Sequence, residues 1–302
     1  MRVIISGSSG LVGTALINSL RADGHAIARL VRSGSPSQSG PAAENIRWEP
    51  PTGSIDLAGM EAADALVHLA GAPIAEGRWT PARKQILRRS RVDATRHLVA
   101  GLAQLKQKPR VLVAASAIGY YGDRGDETLA ESAAPGNDFL AQICRDWEAE
   151  TAQAEKPGIR TVMLRFGIIL AANGGALKRM LPPFRMGAGG RLGSGRQWMS
   201  WITLGDAIGV IRFAIENESV RGPVNTVSPN PATNVAFTSV LAGVLHRPAF
   251  FPVPRAALRL AMGEMADALL FSSQRVAPQQ LQSQLYHFCH PELKEALEFV
   301  LH

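Results

Sequence analysis

Short apolar runs rich in β-branched residues alternate with longer amphipathic stretches through the first 170 residues. Val3–Ser6, Ala26–Val31, Ala65–Leu69, Val111–Ala115 and Thr161–Phe166 predict strands buried on both faces. Between them, Leu11–Ala22, Thr80–Leu105 and Asp138–Glu155 predict amphipathic helices. Strand–helix alternation of this kind predicts an α/β fold, a doubly wound parallel sheet with helices on both faces. From about Asn173 the pattern changes. Gly174-Gly175, Gly187, Gly189-Gly190, Gly193 and Gly195 make a loop-heavy stretch, Trp201–Ile215 returns to strand and helix, and prolines punctuate the tail. The expected organisation is a sheet domain over residues 1–170, to which the chain returns around 200–228. A smaller C-terminal lobe for substrate, including a helical C-terminal domain, is expected over 171–302.

Composition narrows the function classes. Hydrophobic residues make up 46% of the chain, which excludes a disordered or fibrous protein. Lys and Arg number 32 against 25 Asp and Glu, a net charge of +7. These basic residues are scattered, with no stripe interleaved with aromatics, so no nucleic-acid partner is expected. The densest run, Arg83-Lys84, Arg88-Arg89 and Arg91, follows helical spacing. It reads as a solvated helix face, with a surface for an anionic ligand as the alternative. No membrane segment is expected: the best apolar candidate, Ala256 to Phe271, is broken by Arg259, Glu264 and Asp267. Cys144 and Cys289 are the two cysteines, without metal-ligand spacing. A reducing, cytoplasmic setting without metal is the expectation.

The strongest chemical signal lies at the amino terminus. Strand Val3–Ser6 runs into Gly7-Ser8-Ser9-Gly10-Leu11-Val12-Gly13 and then straight into a helix. The first glycine permits a tight turn, the second lets backbone approach a pyrophosphate, and the third lets helix pack on strand. The helix N-terminus offers free N–H groups to phosphate. In this strand–turn–helix context the pattern predicts a Rossmann sheet binding a dinucleotide. Gly7, Ser9, Gly10, Leu11, Val12 and Gly13 are its expected contacts. At the end of the second strand, an NAD site places an acid for the ribose 2′-hydroxyl. Here the chain reads Ala28-Arg29-Leu30-Val31-Arg32-Ser33. Arg32, assisted by Ser33, suits a 2′-phosphate, so NADP(H) is the expected cofactor.

With Val67-His68-Leu69-Ala70-Gly71, Ala115-Ser116-Ala117-Ile118-Gly119-Tyr120-Tyr121-Gly122 and Leu164-Arg165-Phe166-Gly167, the chain resembles the extended short-chain dehydrogenase/reductases, the NAD(P)-dependent epimerase/dehydratase family. The segments Gly189–Trp198, Ser200-Trp201-Ile202 and Gly263–Asp267 through Ser273–Val276 are similar to an atypical branch, the epimerase family proteins. That branch carries its own C-terminal domain of unknown function. The resemblance covers essentially the whole chain. It implies further cofactor contacts at Leu69, Ala70, Gly71, Ser116, Arg165, Phe166 and Gly167.

One departure bears on mechanism. The superfamily pairs a tyrosine with a lysine four residues on, and the lysine lowers the phenol pKa for acid–base work. Four residues after Tyr120, Tyr121 and Tyr286 stand Arg124, Gly125 and His290. No Tyr-x-x-x-Lys exists in the sequence. The helix that should carry the dyad offers Phe139 or Leu140, and Ile143 or Cys144. Ser116 and Tyr121, at a strand's carboxyl end, become the candidate catalytic residues. Arg196, Trp198 and Trp201 become candidates for a small-molecule substrate. Two readings stay open: an NADP-dependent oxidoreductase or epimerase, with a nucleotide sugar as one substrate class, and a catalytically inactive NADP(H)-binding regulatory or sensor protein.

Overall fold

The computed structural model describes residues 1–32 and 43–302. Its central sheet contains β1 (Arg2–Ser6), β2 (Ala26–Val31), β3 (Ala43–Glu49), β4 (Ser54–Ile55), β5 (Ala65–His68), β6 (Val111–Ala117), β7 (Arg160–Phe166) and β8 (Gly222–Thr226). They lie in the order β8-β7-β6-β5-β1-β2-β3-β4. All neighbours pair in parallel except the short β4, which is antiparallel to β3. The direction of winding reverses between β1 and β5, and the crevice outside their carboxyl ends is where such sheets bind ligands.

Alternation along the strands builds two cores. Val3, Ile5, Val67, Val113 and Val162 face one way, against α1 (Leu11–Ala22) and a later helix over Leu204–Glu216. Ile4, Leu66 and Leu112 face the other way, against Leu98 and Leu102 of α2 (Ala94–Gln104). Each fully buried aliphatic side chain contributes on the order of 1.5–3 kcal/mol. Two sequence expectations change. Strand β3 reads Ala-Glu-Asn-Ile-Arg-Trp-Glu, too polar to stand out, yet Ile46 and Trp48 are buried on its inner face. The helix expected over 80–105 starts at a Thr80 cap and contains a π-helical turn, Arg89–Asp93, before α2.

The remaining helices place the site. α3 (Phe139–Ala152) starts where Asp138 accepts the Ala141 N–H at 2.8 Å. α4 (Leu204–Glu216) is capped by Thr203, and β8 returns the chain to the sheet edge. Beyond the sheet, Leu177, Leu181, Phe184, Trp201, Phe237, Leu241 and Leu297 form a separate C-terminal core. Buried Asp206 on α4 fastens the C-terminal segment to the sheet: its carboxylate accepts the N–H of Cys289 at 2.7 Å and of His290 at 3.2 Å. Among the described residues, no helix is long and apolar enough to cross a membrane, and no His/Cys/Asp/Glu group suits a metal ion.

Candidate active site

The glycine loop joins β1 to α1, and its three glycines are not equivalent. Gly7 has φ +70, and a Cβ there would sit 2.7 Å from the backbone of Leu69. A Cβ on Gly13 would sit 2.3 Å from the Gly7 oxygen. The protein's own packing requires both. Gly10 is exposed, has φ −77 and ψ 172, and its Cβ would meet only the Gly7 oxygen, at 3.3 Å. It is also the N-cap of α1, with no side chain covering the helix end and no acid in the first turn. Open N–H groups and a bare backbone leave room for a phosphate.

Beneath the loop, one hydroxyl ties both sides of the crevice together. Ser6 Oγ, at the end of β1, accepts the N–H groups of Leu69 and Ala70 at 3.2 and 3.3 Å. It also lies 2.6 Å from His68 Nδ1, and His68 Nε2 lies 3.0 Å from Thr95 Oγ1. Burial holds the His68 pKa down to about 4, so the ring is neutral at ordinary pH. Leu69, Ala70 and Gly71 thus flank the glycine loop across the switch point. Arg32 is exposed just beyond β2. Ser33 lies outside the described residues.

The catalytic candidates have a different setting. Register places Ser116, Arg165 and Asn225 side by side on β6, β7 and β8. Ser116 donates to Glu148 of α3 at 2.6 Å, and Arg165 grips the same carboxylate through Nε and Nη2 at 2.8 and 2.7 Å. Arg165 Nη1 donates to the Tyr121 oxygen at 2.9 Å, and Tyr121 donates to Asn225 Oδ1 at 2.6 Å. The Arg165 guanidinium also stacks 3.5 Å from the Tyr120 ring centroid. Burial pushes the Tyr121 phenol up to about 12, against the opposing pull of Arg165. For Arg165, burial alone would lower the pKa, and Glu148 more than offsets it.

This network engages three of the expected site residues from within the fold. Tyr121 is fully buried, with its hydroxyl on Asn225 and the Ala130 carbonyl. Ser116, 3% exposed, points its hydroxyl into α3. Arg165 makes four hydrogen bonds, to Glu148, Tyr121 and the Glu131 carbonyl. Phe166 is half-buried, and Gly167 is packed against the Ser200 backbone, where a Cβ would lie 2.6 Å from the carbonyl oxygen. Both candidate pairs for the dyad, Phe139 with Ile143 and Leu140 with Cys144, stand one helical turn apart on α3, and burial pushes the Cys144 thiol up to about 12. Glu148, a turn further, has no place in the sequence reading. The one available sign was a carboxylate on the apolar face shared by Leu140 and Cys144.

The lobe candidates divide. Trp201 is fully buried in the lobe core, its indole N–H on the Asn230 carbonyl at 3.0 Å. Trp198 is half-exposed, donates to Asp126 at 2.8 Å and carries Arg275 over its ring at 4.5 Å. Arg196 is exposed.

A parallel sheet wound from a glycine-turn switch point, closed by a C-terminal lobe, defines a Rossmann-type dinucleotide-binding protein. Within that class the chain belongs to the NAD dependent epimerase/dehydratase family, whose model matches residues 3–227. A second model, a domain of unknown function (DUF1731), matches residues 253–300. Epimerase family protein Mb2239 of Mycobacterium bovis is 42% identical over 98% of this chain and 96% of its own length. The mouse epimerase family protein SDR39U1 is 33% identical over the full length of both. Among solved structures, human epimerase family protein SDR39U1 with NADPH superposes at a TM-score of 0.87, with 32% identity and 99% of each chain covered. A nucleoside-diphosphate sugar epimerase from Corynebacterium glutamicum gives 0.80 with 34% identity, covering 100% of this chain and 58% of that one.

Proposed function

We propose that this chain binds NADP(H) across the carboxyl ends of β1, β2 and β5. With it, the chain acts in the cytoplasm as an oxidoreductase or epimerase on a small substrate held against the C-terminal lobe. The observation that carries the reading is Gly10, a glycine that the fold does not demand and a pyrophosphate would. The N–H groups opening α1 would receive the phosphates, and Arg32 the 2′-phosphate. The human relative with NADPH supports the same choice of cofactor. Bound nicotinamide supplies the hydride chemistry. The chain's own part is binding and orientation. Its hydroxyls at Ser116 and Tyr121 are committed inside the fold, so proton exchange falls to a substrate group or to water. A nucleotide sugar remains one substrate class, in line with the name of the Corynebacterium relative.

The absence of any Tyr-x-x-x-Lys pair favours a second reading, an NADP(H)-binding regulatory protein without catalysis. Screening NADPH-loaded protein with carbonyl compounds and nucleotide sugars, following both absorbance and product isomers, separates the two. The cofactor claim itself is tested by Gly10→Val. The backbone angles suit valine, and its Cβ needs the Gly7 oxygen to give by only a few tenths of an ångström, so the variant should keep its far-UV circular dichroism yet lose NADPH binding. A folded variant that binds NADPH as the wild type does would overturn the assignment.

A further inference from the structure

The basic run of residues 83–91 does not behave as a single solvated face. Lys84 pairs with Glu264 and Arg88 with Asp146 at the surface. Arg83 and Arg91 turn instead onto the loop that leaves β5. Arg83 Nη2 donates to the Pro73 carbonyl at 2.5 Å, and Arg91 Nη2 to the adjacent Ala72 carbonyl at 3.0 Å. In an uninterrupted α-helix, residues eight apart are offset by about 80°. The wider π turn at Arg89–Asp93 narrows that offset and brings the two guanidinia to neighbouring peptide units.

Neither guanidinium has a close, buried carboxylate. Among the described residues Arg91 has no carboxylate partner; its other two bonds, to the Leu87 carbonyl and Ser90 Oγ, are both 3.4 Å long, and its guanidinium lies 5.5 Å from the Trp147 ring centroid. Arg83 has one carboxylate, Glu76, at 3.5 Å and 67% exposed, and its buried Nε has no hydrogen-bond partner. The fold treats other buried guanidinia differently. Arg165 has a bidentate carboxylate, and Arg160 makes three bonds of 2.7–3.1 Å to the carbonyls of Ala214, Val220 and Ile215. Two like charges side by side, half-buried, with an unsatisfied N–H, carry a desolvation cost that a bound anion would relieve. The place is also right. A Cβ on exposed Gly71 would lie 3.3 Å from the Arg91 Cζ, so this guanidinium forms the wall of the crevice beside the switch point.

We infer that Arg83 and Arg91 form an anion site that takes a phosphate or carboxylate group of the substrate. The guanidinium fork suits either group, and Ile74, Phe139 and Leu140 pack in an apolar cluster with Ala72 and Leu87, whose carbonyls Arg91 holds, for the rest of the molecule. The inference rests on the placement of NADP(H) proposed above, and the test keeps the two apart.

Inorganic phosphate is titrated by calorimetry into NADPH-loaded wild type, Arg83→Met, Arg91→Met and, as a surface control, Arg88→Met. Saturable binding is expected in the wild type, weakened at least about tenfold in the first two variants and unchanged in the third. Arg83→Lys and Arg91→Lys keep the charge but lose the fork, and should bind phosphate more weakly than the wild type but more tightly than the methionine variants, which separates loss of charge from loss of fold. Equal phosphate binding in all proteins would overturn the inference. So would binding that occurs without NADPH and is displaced by it, since the arginines would then serve the cofactor's own phosphates. NADPH affinity is measured on the same samples. If the wild type binds no NADPH, the cofactor reading fails, and the phosphate titration of the unloaded proteins decides this inference separately.

Discussion

Replacing Glu148 with alanine removes one carboxylate and strands two partners. Arg165 loses both arms of its bidentate contact, at 2.8 and 2.7 Å, and Ser116 loses its acceptor at 2.6 Å. The Arg165 and Glu148 side chains are 3% and 9% exposed, so solvent screens the pair little. Breaking such a pair from one side costs about 3–5 kcal/mol, because the surviving charge stays buried and uncompensated. Arg165→Met should fall in the same range for the mirror-image reason. The double variant Glu148→Leu/Arg165→Met puts apolar groups of similar volume in both places and should cost less than either single change. What remains is mainly the unpaired Ser116 hydroxyl, about 1–3 kcal/mol. Urea unfolding followed by circular dichroism gives all three values. The reasoning is refuted if Glu148→Ala costs under about 1 kcal/mol, or if the double variant costs as much as the two singles together.

His68 should make stability pH-dependent. Its pKa falls from the ordinary 6.5 to about 4 on folding, so between those values the unfolded chain binds a proton that the native ring refuses. The stabilisation is therefore complete above about pH 6.5 and lost as pH falls toward 4, by about 3 kcal/mol. Unfolding curves for wild type and His68→Gln should converge by that amount across the window, and parallel curves would contradict the assignment. Thiol chemistry should distinguish the cysteines. Cys144 is buried, with its thiol pushed up to about 12, whereas Cys289 is exposed. A chromogenic disulfide at pH 8 should count one reactive thiol per native chain and two after denaturation. Two in the native state would show that α3 opens.

Much of the fold was legible because the core strands are apolar on both faces and the glycine turn has a fixed mechanical meaning. Strand β3 was not, since it buries only Ile46 and Trp48 among polar neighbours. The site was harder for a different reason. Ser116, Tyr121 and Arg165 carry the residue types of a catalytic centre, but which way a side chain turns depends on what lies opposite. That was Glu148 on a helix 32 residues beyond Ser116, and Asn225 on a strand 104 residues beyond Tyr121. Trp201 misled in the same way. It stands close after a glycine-rich stretch that suggested a ligand surface, and the lobe core closes over it. The basic run was legible as two alternatives, and the register supplied by the π turn separates its members.

The central claim, an NADP(H) site built on Gly10 and Arg32, is tested most directly by one titration. NADPH and NADH are each added to wild type and Arg32→Ala, with binding read from nicotinamide fluorescence. A charge-assisted bond from Arg32 to the 2′-phosphate contributes about 1.5–3 kcal/mol, so NADPH should bind the wild type more tightly than NADH by about tenfold or more. Arg32→Ala should erase most of that preference and leave NADH affinity unchanged. Equal affinity of the wild type for the two cofactors would contradict the account.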